Sequence, residues 1–141
     1  MKRVVLDASV VLKWFLPDEE EGQMALEFLE KHLAGEIQLV APSLLEYEVL
    51  NGLLYAGKRG RIKEDIIRKA AEGLAGLGIE LKPSSAHAAR ALKFARAFGI
   101  SIYDAAYLAV AEAEGCPLIT AADRLFAAVH KGFPFVKKLI S

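Results

Sequence analysis

"VVLDASVVLKWFL" runs from Val4 to Leu16, and its first four residues decide how the rest of the chain is read. Val4, Val5 and Leu6 form an unbroken apolar run, as strands do when both faces of a parallel sheet are covered. The run ends on Asp7. A carboxylate at the mouth of a buried strand is costly to desolvate without a partner. Asp7 can cap the helix predicted from Ser9 to about Phe15. It can also face a ligand at the carboxyl end of the strand.

Working outward, strands and helices alternate. Residues 2–6 read as a strand. Pro17-Asp18 predicts a second helix start, with Asp18 as N-cap, Glu19, Glu20 and Glu21 in the first turn, and Gly35 as the stop. Residues 37–41 predict a strand, followed by a helix over about 44–57 that Gly57 ends. A further helix is expected from about Lys63 to Leu77, and a short strand at Ile79–Leu81. Pro83-Ser84 opens a helix to about Phe98, and Ser101 caps another over about 102–114. Pro117–Thr120 reads as a strand, Asp123–Lys131 as the last helix and Phe135–Leu139 as a final strand. This alternation predicts an α/β fold, a three-layer α/β/α sandwich around a mainly parallel sheet.

The 141 residues fit one domain, 1–141, and 54% are hydrophobic, as a packed core needs. No apolar run approaches the ~18–20 residues of a membrane span, and the start has no signal-peptide pattern. Cys116 is the single cysteine, so no internal disulfide is possible and a cytoplasmic home is expected. Lysine and arginine balance aspartate and glutamate at 18 each. Bulk charge therefore gives no attraction to a nucleic acid; any such contact needs a local patch.

Only five of the 18 acidic residues are aspartate, and the chain holds one Asn, Asn51, and one Thr, Thr120. Asp7 ends the first strand and Asp123 follows the fourth. Asp104 falls in the first turn of the helix after Ser101, and Glu48 lies early in the helix after the second strand. All four can reach the same rim of a parallel sheet. Each also has a structural reading. Asp7 and Asp123 can cap helices, and Ser101-x-x-Asp104 matches a variant capping box. Ser43-x-x-Glu46 matches the box as well, which assigns Glu46 to the helix start. Glu48 lies too far along to cap and shares a helix face with Asn51.

Acids that converge without matching bases repel one another and take up protons. A divalent cation removes the conflict, and carboxylate oxygens suit Mg²⁺ or Mn²⁺. Zinc is disfavoured, since His32, His87 and His130 are scattered and Cys116 has no partner at ligand spacing. An ion so held supports phosphodiester hydrolysis.

"LDASVVL", "PSLLEYEVLNGL", "SIYDAAYLAVA" and "PLITAADRL", in this order, resemble a PIN domain of the VapC-like toxin ribonucleases, nearly end to end. The resemblance implies a Mg²⁺-dependent endoribonuclease with Asp7, Glu48, Asp104 and Asp123 as metal-binding and catalytic acids. Ser9, Asn51 and Thr120 match its supporting polar positions. The chain departs from the family where T-x-D is usual: Thr120-Ala121-Ala122-Asp123 carries one residue more. The resemblance also implies an RNA substrate, a small antitoxin partner and a homodimer. For the antitoxin, the apolar surface around Trp14, Phe15, Leu54 and Tyr55 is the expected dock, against core packing for at least half of them. The basic run from Lys58 to Lys63, and the stripe of Arg90, Lys93 and Arg96, are candidate phosphate contacts, against the plainer reading of solvated faces.

Rival readings remain. A haloacid-dehalogenase-like phosphatase wants a second aspartate two residues after the first, where Ser9 stands. A non-catalytic PIN-like module that binds RNA or protein has little use for four clustered acids. A stand-alone RNA-processing nuclease would share the whole site.

Overall fold

The opening apolar run becomes the central strand of a five-stranded sheet. The structure, a computed structural model, describes residues 1–16 and 18–140. Strands β1 (Lys2–Leu6), β2 (Ile37–Pro42), β3 (Glu80–Lys82), β4 (Leu118–Thr120) and β5 (Val136–Lys138) are all parallel, in the order β3-β2-β1-β4-β5. On one side Val4 pairs with Leu39 and Val5 with Val40; on the other, Val5 pairs with Leu118 and Leu6 with Ile119. All these side chains are buried. Each large one contributes roughly 1.5–3 kcal/mol by leaving water.

Parallel strands need crossovers, and these are right-handed. β1 leads through α1 (Ala8–Val11), a 3₁₀ turn (Leu12–Trp14) and α2 (Gly22–Leu33) to β2. β2 leads through α3 (Leu45–Lys58), α4 (Glu64–Gly73) and a second 3₁₀ turn (Leu74–Leu77) to β3. The chain then reverses across the sheet. A short 3₁₀ turn (Ser84–Ala86), α5 (Ala88–Phe98) and α6 (Ile102–Glu114) carry it back to β4, and α7 (Asp123–Val129) takes it on to β5. Right-handed crossovers travelling in opposite directions place their helices on opposite faces, which gives the three α/β/α layers. Helix α6 lies against β1, β2 and β4, and its Ala105, Leu108, Ala109, Val110 and Ala111 are all buried. The strand order reverses between β1 and β4. In open α/β sheets ligands bind at that crevice, outside the carboxyl ends of the strands.

Three local expectations fail, each for a physical reason. Asp18 caps no helix. α2 starts four residues later at Gly22, behind Glu21 in a left-handed conformation (φ 59°). Glu19 is drawn instead to Lys13 at 3.3 Å and Arg61 at 2.9 Å, outside any helix; Pro17 lies outside the described residues. The Ser43–Glu46 capping box does not form either. The Ser43 amide donates to the Lys82 carbonyl at 2.9 Å as the chain leaves β2, and α3 begins without a side-chain cap. Gly57 does not stop α3, which continues to Lys58 before turning at Gly60 (φ 73°). Its role is close approach: a Cβ on Gly57 would stand 2.8 Å from Ile67 Cδ1 of α4. Among the described residues no single helix is long and apolar enough to cross a membrane.

Candidate active site

Asp7 stands at the crevice between β1 and β4 and is only 3% exposed. Its Oδ1 accepts the amides of Ser9 (3.1 Å) and Val10 (3.4 Å) and the Ser9 hydroxyl (2.5 Å); its Oδ2 accepts the Thr120 hydroxyl (2.5 Å). Capping of α1 and a place in the site therefore coexist in one side chain. Proton counting fixes the directions. The Ser9 oxygen accepts the Ala121 amide at 2.9 Å, and the Thr120 oxygen accepts the Ala122 amide at 3.0 Å. Each hydroxyl has a single proton, and both are committed to Asp7. The 3.4 Å approach of Ser9 to Thr120 is then a contact between two acceptors. Burial still dominates: desolvation pushes the Asp7 carboxyl up to about 6, the Asp104 charge adds to it, and the Ser9, Thr120 and Val10 donors oppose it.

Glu48 lies one turn into α3 and Asp104 in the first turn of α6, where Ser101 caps the helix by accepting the Asp104 amide at 3.0 Å. Both carboxyls are pushed up, first by desolvation. Glu48 is raised further by the charge of Asp104 and lowered by Tyr107, whose hydroxyl donates to Glu48 Oε1 at 2.7 Å. The Ser101 hydroxyl and the Arg124 charge pull Asp104 back down. Tyr107 is 1% exposed. Its hydroxyl is driven far above the usual phenol range by burial, then by Glu48, Asp7 and Asp104. One buried phenol thus feels all three carboxylates and touches one of them, Glu48.

The remaining expected residues part company there. Asp123 is the first residue of α7, its carboxylate is 87% exposed, and it pairs with Lys138. Its charge is not among those that move Asp7, Glu48 or Asp104. The Ala121 and Ala122 amides, just before it, are held by Ser9 and Thr120. Asn51 is exposed on α3 one turn beyond Glu48. Thr120 is fully buried at Asp7. Two residues outside the expected set belong to the site, Tyr107 and Arg124. Asp104-x-x-Tyr107 puts acid and phenol on one helix face, a signal that was readable in the sequence. Arg124 was not legible, because its place depends on the loop before Asp123.

The donor set fits a hard divalent cation on its chemistry. It offers carboxylate oxygens alone, their carboxyls all displaced upward, with Arg124 the countercharge that acts on Asp104. The imidazole of His32 is occupied by the Leu77 carbonyl (2.7 Å) and the Leu39 amide (3.2 Å), His130 contacts the Phe126 carbonyl (2.9 Å), and Cys116 is buried elsewhere. Among the described residues no group of three or more His, Cys, Asp or Glu side chains is placed so that it could hold a metal ion.

The basic runs are partly neutralised. Arg61 pairs with Glu19, Arg90 pairs with Glu112, and Arg59 lies 4.5 Å over the Tyr55 ring. Lys93 and Arg96 line a shallow exposed hollow on α5.

Comparison with known proteins gives a consistent result. Residues 4–132 match the PIN domain family. Ribonuclease VapC3 of Pyrobaculum aerophilum is 33% identical over 123 residues, 84% of this chain and 88% of that protein. VapC ribonuclease Mb0985 of Mycobacterium bovis is 33% identical over 122 residues, 86% of this chain and 87% of the relative. Among solved structures, PAE2754 from Pyrobaculum aerophilum superposes with a TM-score of 0.70 at 18% identity, covering 98% of this chain and 84% of that one. A chain of a toxin–antitoxin complex from Klebsiella pneumoniae gives 0.61 at 21% identity, covering 98% of both chains.

Proposed function

The chain belongs to the PIN-domain family, and from that premise we propose that it is a divalent-metal-dependent endoribonuclease, the toxin of a VapBC-type pair. The observation that carries the reading is the buried Tyr107 hydroxyl, bonded to Glu48 and acted on by the charges of Glu48, Asp7 and Asp104, with Asp7 at the switch point of the sheet. Asp7, Glu48 and Asp104 would hold Mg²⁺ or Mn²⁺, with Asp123 an outlying acid on the rim. A bound cation would supply charge stabilisation at the scissile phosphate and ease the ionisation of water.

The protein's own groups prepare the site. Ser9 and Thr120 donate to both Asp7 oxygens, so the carboxylate cannot rotate freely and stays available as an acceptor. Tyr107 occupies Oε1 of Glu48, and among the described residues no protein donor reaches Oε2. Arg124, exposed beside Asp104, offers positive charge to the phosphate of an approaching RNA. A binding-only module gains nothing from half-buried and buried acids whose charge repels a polyanion.

An apolar groove of about 340 Å³, lined by Trp14, Phe15, Leu29, Ile66, Ala70 and Leu74, fits an apolar stretch of an antitoxin chain. It shares Trp14 and Phe15 with the expected dock. Trp14 is mostly core, with its indole donating to the Ala25 carbonyl at 2.8 Å, while Leu54 and Tyr55 are exposed on α3. For the homodimer, the face bearing exposed Tyr47, Ile102 and Tyr103 is the apolar surface that a second copy would cover; sedimentation of the purified chain tests it.

Single-stranded RNA incubated with the purified chain tests the main reading. Cleavage in Mg²⁺, none in EDTA and none with Asp7→Asn is the expected result. Equal RNA loss with Asp7→Asn would point to a contaminating nuclease and remove the support for the reading.

A further inference from the structure

We propose that Tyr107 is the positioning residue for Glu48: its hydroxyl holds one carboxylate oxygen so that the other is presented to the cation. The inference rests on the metal-nuclease reading above and adds a residue to it.

The geometry is specific. Tyr107 lies on α6, three residues after Asp104, so both side chains leave the same helix face. From there the phenol crosses to α3 and donates to Glu48 Oε1 at 2.7 Å, a bond between residues 59 apart in sequence. A buried hydroxyl needs an acceptor, and this one takes a carboxylate that the site also needs. Glutamate has the longer and more mobile acidic side chain. Asp7 is fixed by four donors, whereas Tyr107 is the hydrogen-bond donor found for the Glu48 side chain among the described residues. With Oε1 engaged, Glu48 would have Oε2 to offer a hard cation such as Mg²⁺. Helix α6 then contributes twice to the site, through its own acid and by steadying the acid of α3.

The alternative is that Glu48 merely satisfies a core hydroxyl. Mn²⁺ titration calorimetry without RNA separates the two. Partners that orient a metal ligand alter affinity by about 10- to 100-fold, so Tyr107→Phe should weaken Mn²⁺ binding by about that factor and lower kcat at saturating Mg²⁺ with KM for RNA little changed. In a Glu48→Ala background, Tyr107→Phe should have no further effect on Mn²⁺ affinity, because the phenol acts through Glu48. Wild-type Mn²⁺ affinity retained in a folded Tyr107→Phe protein would overturn the proposal. Should that variant fail to fold, the wild-type protein still decides: the Tyr107 hydroxyl proton, followed by NMR, should remain bonded to Glu48 when Mg²⁺ is added, and its release on Mg²⁺ binding would overturn the idea. Failure of the wild-type chain to bind Mn²⁺ at all would instead sink the metal-nuclease reading, and this inference with it.

Discussion

Thr120, at the end of β4, donates its hydroxyl proton to Asp7 Oδ2 at the end of β1, across the point where the strand order reverses. The Thr120 hydroxyl oxygen in turn accepts the Ala122 amide, so one side chain joins two strands and holds the loop that follows. Thr120→Val keeps the shape and removes both bonds. It leaves a buried carboxylate short of a donor and the Ala122 amide short of an acceptor, at a cost of about 1–3 kcal/mol for a group left unsatisfied. Urea unfolding of the metal-free protein should show a midpoint shift of that size with the slope unchanged; an unshifted midpoint would mean the bond contributes nothing.

Acid residues that titrate high in the folded chain give pH dependence a definite sign. The Asp7 carboxyl lies at about 6 in the folded protein against an ordinary 3.8, and Glu48 and Asp104 are displaced the same way. Between those values the folded state binds more protons than the unfolded one, so this part of the stability rises as pH falls from about 7 towards 4. Glu80 acts oppositely but lower. Arg3, then Lys82, hold its carboxyl down at about 2, so its contribution, present above an ordinary 4.5, is lost as pH falls towards that value. In EDTA, the melting temperature should rise from pH 7 to pH 5, less so in Asp7→Asn. Saturating Mg²⁺ should flatten or reverse the trend, because ligating carboxylates must be ionised.

The four acids should not behave alike. Asp7→Asn, Glu48→Gln and Asp104→Asn are each expected to lower kcat/KM for RNA by at least about 100-fold. Asp123→Asn, on an exposed carboxylate paired with Lys138, should change it by no more than about threefold. Steady-state cleavage of a fluorogenic RNA reads all four, and equal losses would return Asp123 to the centre of the site.

Arg124 contributes charge beside Asp104. Arg124→Ala should raise KM for RNA several-fold and make the salt dependence of binding shallower by about 0.7 in the log–log slope, as for one lost single-strand phosphate contact. An unchanged slope would exclude that contact.

Much of this was legible in the chain, and the failures share a cause. The apolar strands, the parallel order and the place of Asp7 at the end of β1 follow from hydrophobic runs, a pattern set by local sequence. Asp18, Ser43 and Gly57 failed as signals because long-range partners outweighed local preference: Lys13 and Arg61 for the acids beside Asp18, Lys82 for Ser43, and Ile67 for Gly57. Asp123 lies exposed and paired with Lys138, after a loop one residue longer than the T-x-D spacing that the resemblance implies. Tyr107 reads as core from its apolar neighbours, and it is core; its hydroxyl reaches the site through a bond spanning the two helices.

Crystals soaked in Mn²⁺ test the central claim most directly, through anomalous scattering at the manganese edge. The account predicts a peak between Asp7, Glu48 and Asp104, with carboxylate oxygens at about 2.0–2.2 Å. A well-diffracting, fully soaked crystal with no peak there, or with its only peak at Asp123, would contradict it.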